Sequence, residues 1–548
     1  MLLLLHDMAE YRKPVESLVA KHVREQTLTP VLLQRVFEEH EAGVRATLVP
    51  ALALADYLMR QNHANTQEFA RALYLNCFRF FDNFCRQEVV GALVTHIGSG
   101  LAHEVQHALV VMRQLAAELP AEMQPFVIFI KGIFDYVENL KTSHVRLLFG
   151  ILTKLNSHGG GDILHDDVHI LLRKMLSSAT PSYKRLGVVA SSSVVRALVD
   201  QTASRGEFQE LAATSAIKLL EMIYDNTHKS PSLLAILCDE LAGAVHHGMH
   251  PKVDEWISEQ LTAEFQELFV VDKEEKPSAR HRELPLKLSL PVDNMAQSTD
   301  VAIAFVPVIM RRHAEVIHMI CPSFKLLQLQ TKAQSKGSLT EIDALLFCET
   351  WMFEQHVIED FPGLTTDAKD IVCASLLAGI NWLRELLNAF AKQTDAEVRL
   401  AVMTRLTQLR AMEQAFASCV RQHAAFVPLP AYADTELPKK AEREIEFAKP
   451  AKPAGAKSKG KSKAKTKGKE NDGPNESTDS TEADVEDAPE EVRGLDHHMF
   501  RFNLRELDLD VFDVSALLPG STCLLMLLRI LIHRDLRSSC STGSLAMC

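Results

Sequence analysis

Basic charge, long apolar runs, paired cysteines and aromatic rings are all scarce in this chain. Lysine and arginine number 59 against 71 aspartates and glutamates, a formal charge of −12. A free-standing nucleic-acid binder usually carries the opposite balance, so any such contact would need a local basic groove. Nothing approaches the run of about 20 apolar residues that crosses a bilayer. Leu524 to Ile532 is short and broken by Arg529, and the four leucines after Met1 are too few for a signal core. We therefore expect no membrane association. The ten cysteines are dispersed and none forms C-x-x-C. Several sit in apolar stretches (Cys238, Cys348, Cys373, Cys419), as reduced core thiols of a nuclear or cytosolic protein do.

What is there is helix-forming sequence. Aromatics make up 6% of the chain while Leu, Ala, Glu, Gln and Arg recur throughout, a mix that favours helix over strand. Amphipathic patterns fill most of the first 430 residues. One begins at Thr394-Asp395, a capping pair, with Val398, Val402, Leu406, Leu409, Met412, Phe416 and Cys419 at three- and four-residue steps. Another runs through Trp382, Leu383, Leu386, Leu387 and Phe390. Breakers at Pro30, Pro50, Gly98-Ser-Gly100, Pro120, Gly159-Gly-Gly161, Pro181 and Pro251 separate the stripes. Many helices joined by short turns predict an all-α fold, an α-solenoid of antiparallel HEAT/ARM-like helical repeats over residues 1–436.

Residues 437–495 break the pattern. Lysines occupy alternate positions from Lys457 to Lys469 and an acidic Ser/Thr/Glu/Asp run follows. With few large apolar side chains to bury, this stretch is expected to be a disordered linker. Its lysine-rich half suits nuclear import or a DNA-touching tether as well as a plain solvated linker. Helical solenoid is expected to resume at 496–515, and 516–548 forms a divergent tail.

No complete catalytic set emerges. His103-Glu104-Val105-Gln106-His107 has the form H-E-x-x-H, in which helical histidines would hold zinc and the glutamate would act as general base. The metzincin extension needs Gly at 110 and His at 113, where Val110 and Arg113 stand. His158-Gly-Gly-Gly161 resembles an esterase oxyanion loop, but no G-x-S-x-G elbow accompanies it. G-x-G-x-x-G and zinc-finger spacings are also missing. We expect no enzyme activity, no cofactor and no metal, with a zinc hydrolase on His103 and His107 as the outlying alternative.

Lys131 stands out within Phe126-Val-Ile-Phe-Ile-Lys-Gly-Ile-Phe134, where five apolar residues precede it. An unpaired buried lysine costs several kcal/mol, so its amine must reach water, a carboxylate or another protein. Either the side chain snorkels, its stem covering an apolar helix, or the amine is held at a contact where an apolar setting sharpens its nucleophilicity.

Several blocks carry a resemblance. They are Arg86 to Gly100 (RQEVVGALVTHIGSG), Phe129 to Tyr136 (FIKGIFDY) and His165 to Ser178 (HDDVHILLRKMLSS). Further on come Trp256-Ile257, Phe265 to Asp272, Glu341 to Leu346, Asn381 to Phe390 and Leu504 to Phe512. In this order, with a charged insert in the same place, the chain resembles the Fanconi anaemia group D2 family across residues 70–515. The opening 60 residues and the sequence after Val514 follow that pattern poorly. Family chains continue beyond both ends, so the resemblance implies an internal segment or a shortened homologue.

The resemblance implies a non-enzymatic α-solenoid in the nucleus that pairs with its paralogue, the Fanconi anaemia group I protein. It implies one ubiquitin attached by the pathway's E2 and E3 enzymes, locking the heterodimer as a clamp on double-stranded DNA during interstrand-crosslink repair, with repair nucleases as further partners. The family's acceptor motif, Phe-(Val/Ile)-Lys-Gly-Ile-(Leu/Phe)-Asp-Tyr, falls on Lys131 and passes over Lys141. The alternative outside the resemblance is a generic helical-repeat adaptor with no ubiquitin switch.

Overall fold

The computed structural model describes residues 1–159, 162–202, 207–245, 249–274, 283–292, 300–311, 315–434, 495 and 499–508. Breakers and caps set the helix boundaries. Pro30, Pro120 and Pro251 each open a helix at the first position, where a missing N–H costs nothing. Asp395 caps Ala396–Gln422 by accepting from the Glu397 and Val398 amides at 2.8 and 3.2 Å, and Val402, Leu406, Leu409, Met412, Phe416 and Cys419 line its buried face. Asp82 and Thr365 cap Asn83–Ile97 and Thr366–Phe390 in the same way.

Many helices pack on near neighbours in the chain, and some on more distant ones. Leu48–Met59 lies on Ala64–Phe80, Asn83–Ile97 on Ala102–Glu118, and Ala102–Glu118 on Thr142–Gly159. Pro181–Thr202 then bridges Thr142–Gly159, Glu207–Thr227 and Pro231–Val245. Farther along, Pro231–Val245 meets Ile317–Gln334, and Thr366–Phe390 pairs with Ala396–Gln422. This is an all-α helical solenoid, and one continuous apolar cluster runs through it from Val15 to Leu504. The described cysteines are free thiols, with Cys77, Cys238, Cys321, Cys348, Cys373 and Cys419 buried in that core. Among the described residues, no helix is long and apolar enough to cross a membrane.

Close packing against backbone shows at Gly187, where Pro181–Thr202 crosses Asp162–Leu176. A Cβ there would stand 2.8 Å from Met175 Cβ and 3.0 Å from the Met175 carbonyl carbon. Ala raises helix propensity by about 1 kcal/mol, but an overpacked backbone contact costs about 1–3 kcal/mol. Gly187→Ala is therefore expected to lower the melting temperature. Gly91→Ala, whose Cβ meets nothing within 4 Å, is expected to leave it unchanged or higher. Equal thermal scans for the two variants would contradict this packing.

A small sheet interrupts the helices. Its strands are β1 (Val270–Asp272), β2 (Leu286–Ser289), β3 (Val301–Ile303) and β4 (Glu349–Phe353), in the order β1-β3-β4-β2. β3 and β4 run parallel, and the two outer pairs are antiparallel. The parallel step needs a long crossover, which the helices Phe305–Met310 and Ile317–Gln334 supply. Arg405, buried on Ala396–Gln422, fastens the loops beside this sheet. It donates to the carbonyls of Leu346 and Leu290 at 3.0 and 2.8 Å, and to that of Cys348.

Residues 437–494, with 496–498 and everything after 508, lie outside the described residues, and with them the proposed linker and tail. Within the stretch expected to resume as helix, 499–508 is instead a series of turns followed by backbone that is neither helix nor strand. Its polar main chain is bonded by side chains of the solenoid, which removes the need for an internal helical ladder.

Candidate functional site

Lys131 ends the five-residue helix Val127–Lys131, which follows a 3-10 turn at Gln124–Phe126 and leads into a 3-10 stretch, Gly132–Asn139. Pro120 and Pro125 break what would otherwise be one longer helix. The apolar run around the lysine divides between two faces. Phe126, Val127, Ile130, Ile133 and Val137 enter the core, while Ile128 is 71% exposed and Phe129 also faces outward. Downstream residues anchor the stretch. Phe134 stacks on Phe149 with centroids 6.4 Å apart, and Tyr136 donates to the Val94 carbonyl at 3.5 Å.

The Lys131 amine does not end in an apolar setting, nor does it simply reach water. It forms an ion pair with Asp167 on helix Asp162–Leu176, and the lysine side chain is 29% exposed. Asp167 belongs to the His165-to-Ser178 block, yet nothing in the linear sequence ties it to Lys131. Around the pair the surface is open. A Cβ on Gly132 would meet nothing within 4 Å, and Ile170, one turn beyond Asp167, is 65% exposed. The arrangement presents one amine, held by one carboxylate, on a surface rimmed by Ile128, Phe129 and Ile170. Lys141 lies outside it, just before helix Thr142–Gly159.

The H-E-x-x-H residues sit together on helix Ala102–Glu118, but the glutamate is committed elsewhere. Glu104 is buried and accepts from His96 Nδ1 at 2.7 Å, and His96 Nε2 lies 3.0 Å from the Tyr74 hydroxyl. Burial raises the Tyr74 phenol above its ordinary range. His103 reaches the Arg60 carbonyl at 3.4 Å. This buried relay joins Ala64–Phe80, Asn83–Ile97 and Ala102–Glu118, and makes Glu104 a structural partner of His96. No three His, Cys, Asp or Glu residues among those described are grouped to hold a metal ion. One formal phosphate-loop spacing does occur, Gly455 followed by Gly460-Lys461-Ser462. No run of strand-forming apolar residues precedes it, as a P-loop requires, and it lies outside the described residues.

His107 carries an acid-sensitive consequence. Burial, then the nearby Arg71 and His103, push its imidazole down to about 4 from an ordinary 6.5. The folded state resists its protonation, so its contribution is present above pH 6.5 and is lost as pH falls toward 4. Burial also lowers His144 and His318. Acidification from pH 7 to pH 5 is therefore expected to lower the melting temperature, and His107→Gln to remove part of that drop. An undiminished drop in the variant would place the sensitivity elsewhere.

The family model described as "Fanconi anaemia protein FancD2 nuclease" matches residues 1–541. That match takes in the opening 60 residues and much of the sequence after Val514, both expected to lie outside the resemblance. The Fanconi anemia group D2 protein of Gallus gallus is 29% identical over 550 aligned residues, covering 94% of this chain and 38% of that protein. The Mus musculus homolog is 28% identical, covering 80% of this chain and 32% of its own length. The Drosophila melanogaster homolog is 18% identical, with 76% and 30% covered. The chain thus spans about a third of the length of the curated relatives it matches. From its first helix to near its end, this chain belongs to the FancD2 family of Fanconi anaemia proteins.

Proposed function

We propose that this chain is a non-enzymatic DNA-repair scaffold of the Fanconi anaemia pathway, and that Lys131 is its ubiquitin acceptor. In this reading a single ubiquitin, delivered by the pathway's E2 and E3 enzymes, locks the chain and its group I paralogue as a clamp on duplex DNA at interstrand crosslinks in the nucleus. Repair nucleases would act with the clamp as separate proteins. The observation that carries the reading is the Lys131 amine, paired to Asp167 on an open surface beside Gly132 and rimmed by exposed Ile128 and Ile170. An acceptor needs that access, because its nitrogen attacks the E2 thioester carbonyl, expels the cysteine thiolate and gives up a proton. The apolar rim suits burial against a partner chain. DNA contact would run through lysines and arginines to phosphates, largely independent of sequence.

The test is reconstitution with the ubiquitin enzymes, the paralogue and duplex DNA, followed by peptide mass spectrometry. A single ubiquitin remnant on the Lys131 peptide is expected, with transfer faster when DNA is present. Remnants scattered over many lysines, or none, would leave a helical-repeat adaptor without a ubiquitin switch.

A further inference from the structure

Segment 503–508, which starts in a turn and continues outside helix and strand, lies across the solenoid in the manner of a bound peptide. Three side chains from successive turns of helix Thr366–Phe390 bond its backbone. Asn381 donates to the Asn503 carbonyl at 2.9 Å and accepts from the Arg505 amide at 2.8 Å. Arg384 donates to the Arg505 carbonyl at 3.0 Å. Asn388 donates to the Glu506 carbonyl and accepts from the Asp508 amide, both at 2.9 Å. Spacings of three and four residues bring 381, 384 and 388 onto one helix face. Such amide pairs recognise backbone whatever its side chains.

Side-chain selectivity comes from Arg505, which is 1% exposed. Its guanidinium donates to both Asp239 carboxylate oxygens at 2.8 Å and to Glu385 at 3.1 Å. It also donates to the Ala431 carbonyl at 3.0 Å and lies 4.2 Å over the Tyr432 ring. Two carboxylates and an aromatic face around one planar cation make a pocket built for arginine. Phe500 adds an apolar anchor against Phe416, with centroids 5.3 Å apart. Beside the segment a cavity of about 340 Å³ remains, lined in part by Ile317, Cys321, Leu377, Asn381 and Leu429.

This occupant reaches the groove only after residues 435–494, a stretch poor in large apolar side chains. We propose that the groove between Pro231–Val245 and Thr366–Phe390 is a peptide-binding site for arginine-anchored segments, filled in cis by 503–508. Covalent attachment raises the local concentration of this segment and keeps other peptides out. A competing chain enters only when the segment leaves, and the arginine decides which chains compete.

The experiment uses the full chain and a fluorescent peptide of residues 499–508, followed by anisotropy. The parent is expected to take up little peptide. Arg505→Ala, which empties the arginine pocket, is expected to bind it saturably and at least ten-fold more tightly than the parent. Adding Asn381→Ala and Asp239→Asn should abolish that uptake, and a peptide with alanine in place of its Arg505 should not bind. A folded Arg505→Ala chain that ignores the peptide, or takes a scrambled one equally well, would overturn the proposal. Should Arg505→Ala fail to fold, the parent can be cut at a protease site engineered into 435–494. Excess 499–508 peptide should then displace the cut segment, whereas a segment that stays in place is part of the core and the proposal fails.

Discussion

Arginine in place of Lys131 is expected to reduce ubiquitin attachment below detection while leaving the fold intact. Guanidinium keeps the positive charge and can pair with Asp167 more fully than an ammonium does, but it cannot lose a proton at accessible pH. Charge and packing are therefore preserved and only the nucleophile is removed. Lys141→Arg, outside the motif, is expected to have no effect. Asp167→Ala supplies the complementary arm. A partly exposed ion pair is worth about 0.2–1 kcal/mol, so freeing the amine is expected to speed transfer by up to about fivefold. Single-turnover discharge of a ubiquitin-loaded E2 reads all three variants. Equal transfer to the parent and to Lys131→Arg would sink the acceptor assignment. Slower transfer in Asp167→Ala would mean that the carboxylate positions the amine rather than restraining it.

The largest stability effect is expected at Trp382. This side chain is 2% exposed and ties three helices together. Its indole stacks on Phe265 of Ala263–Phe269 at 5.9 Å, and Phe324 of Ile317–Gln334 meets it edge-on at 4.9 Å. Trp382→Ala removes the centre of that cluster, and truncating a buried aromatic residue costs about 3–5 kcal/mol. That is a large share of the roughly 5–15 kcal/mol that stabilises a typical domain. Because a solenoid repeat contacts mainly its neighbours, the loss should stay local. Hydrogen exchange is expected to rise across Ala263–Phe269, Ile317–Gln334 and Thr366–Phe390, with protection around Lys131 retained. A loss under 1 kcal/mol would show that the cluster repacks, and uniform loosening along the chain would contradict the local coupling of a solenoid.

Helix boundaries were legible because their signals are local. Asp395 supplies its cap within three residues, Pro30 and Pro251 sit where helices begin, and the buried face of Ala396–Gln422 follows the apolar spacing. The sheet was not legible. β4 is buried at Thr350, Trp351, Met352 and Phe353, so it shows no alternation, and the other strands have only three or four residues. Around the candidate site, the motif singled out Lys131, and the open space beside Gly132 came from the fold. The apolar run before the lysine suggested a uniform apolar setting, which the inward turn of Ile130 and the outward turn of Ile128 correct.

Taken by itself, the sequence determined what depends on near neighbours along the chain: a helical solenoid, its caps and breaks, and one lysine in a distinctive setting. The tertiary structure decided which distant groups meet. It brought Asp167 to Lys131, turned Glu104 of the apparent zinc motif toward His96, and closed Asp239 and Glu385 around Arg505. Helical hydrogen bonds and apolar spacing recur within four residues and leave a periodic trace. An ion pair between separate helices imposes no spacing, so it becomes visible only once the helices are packed.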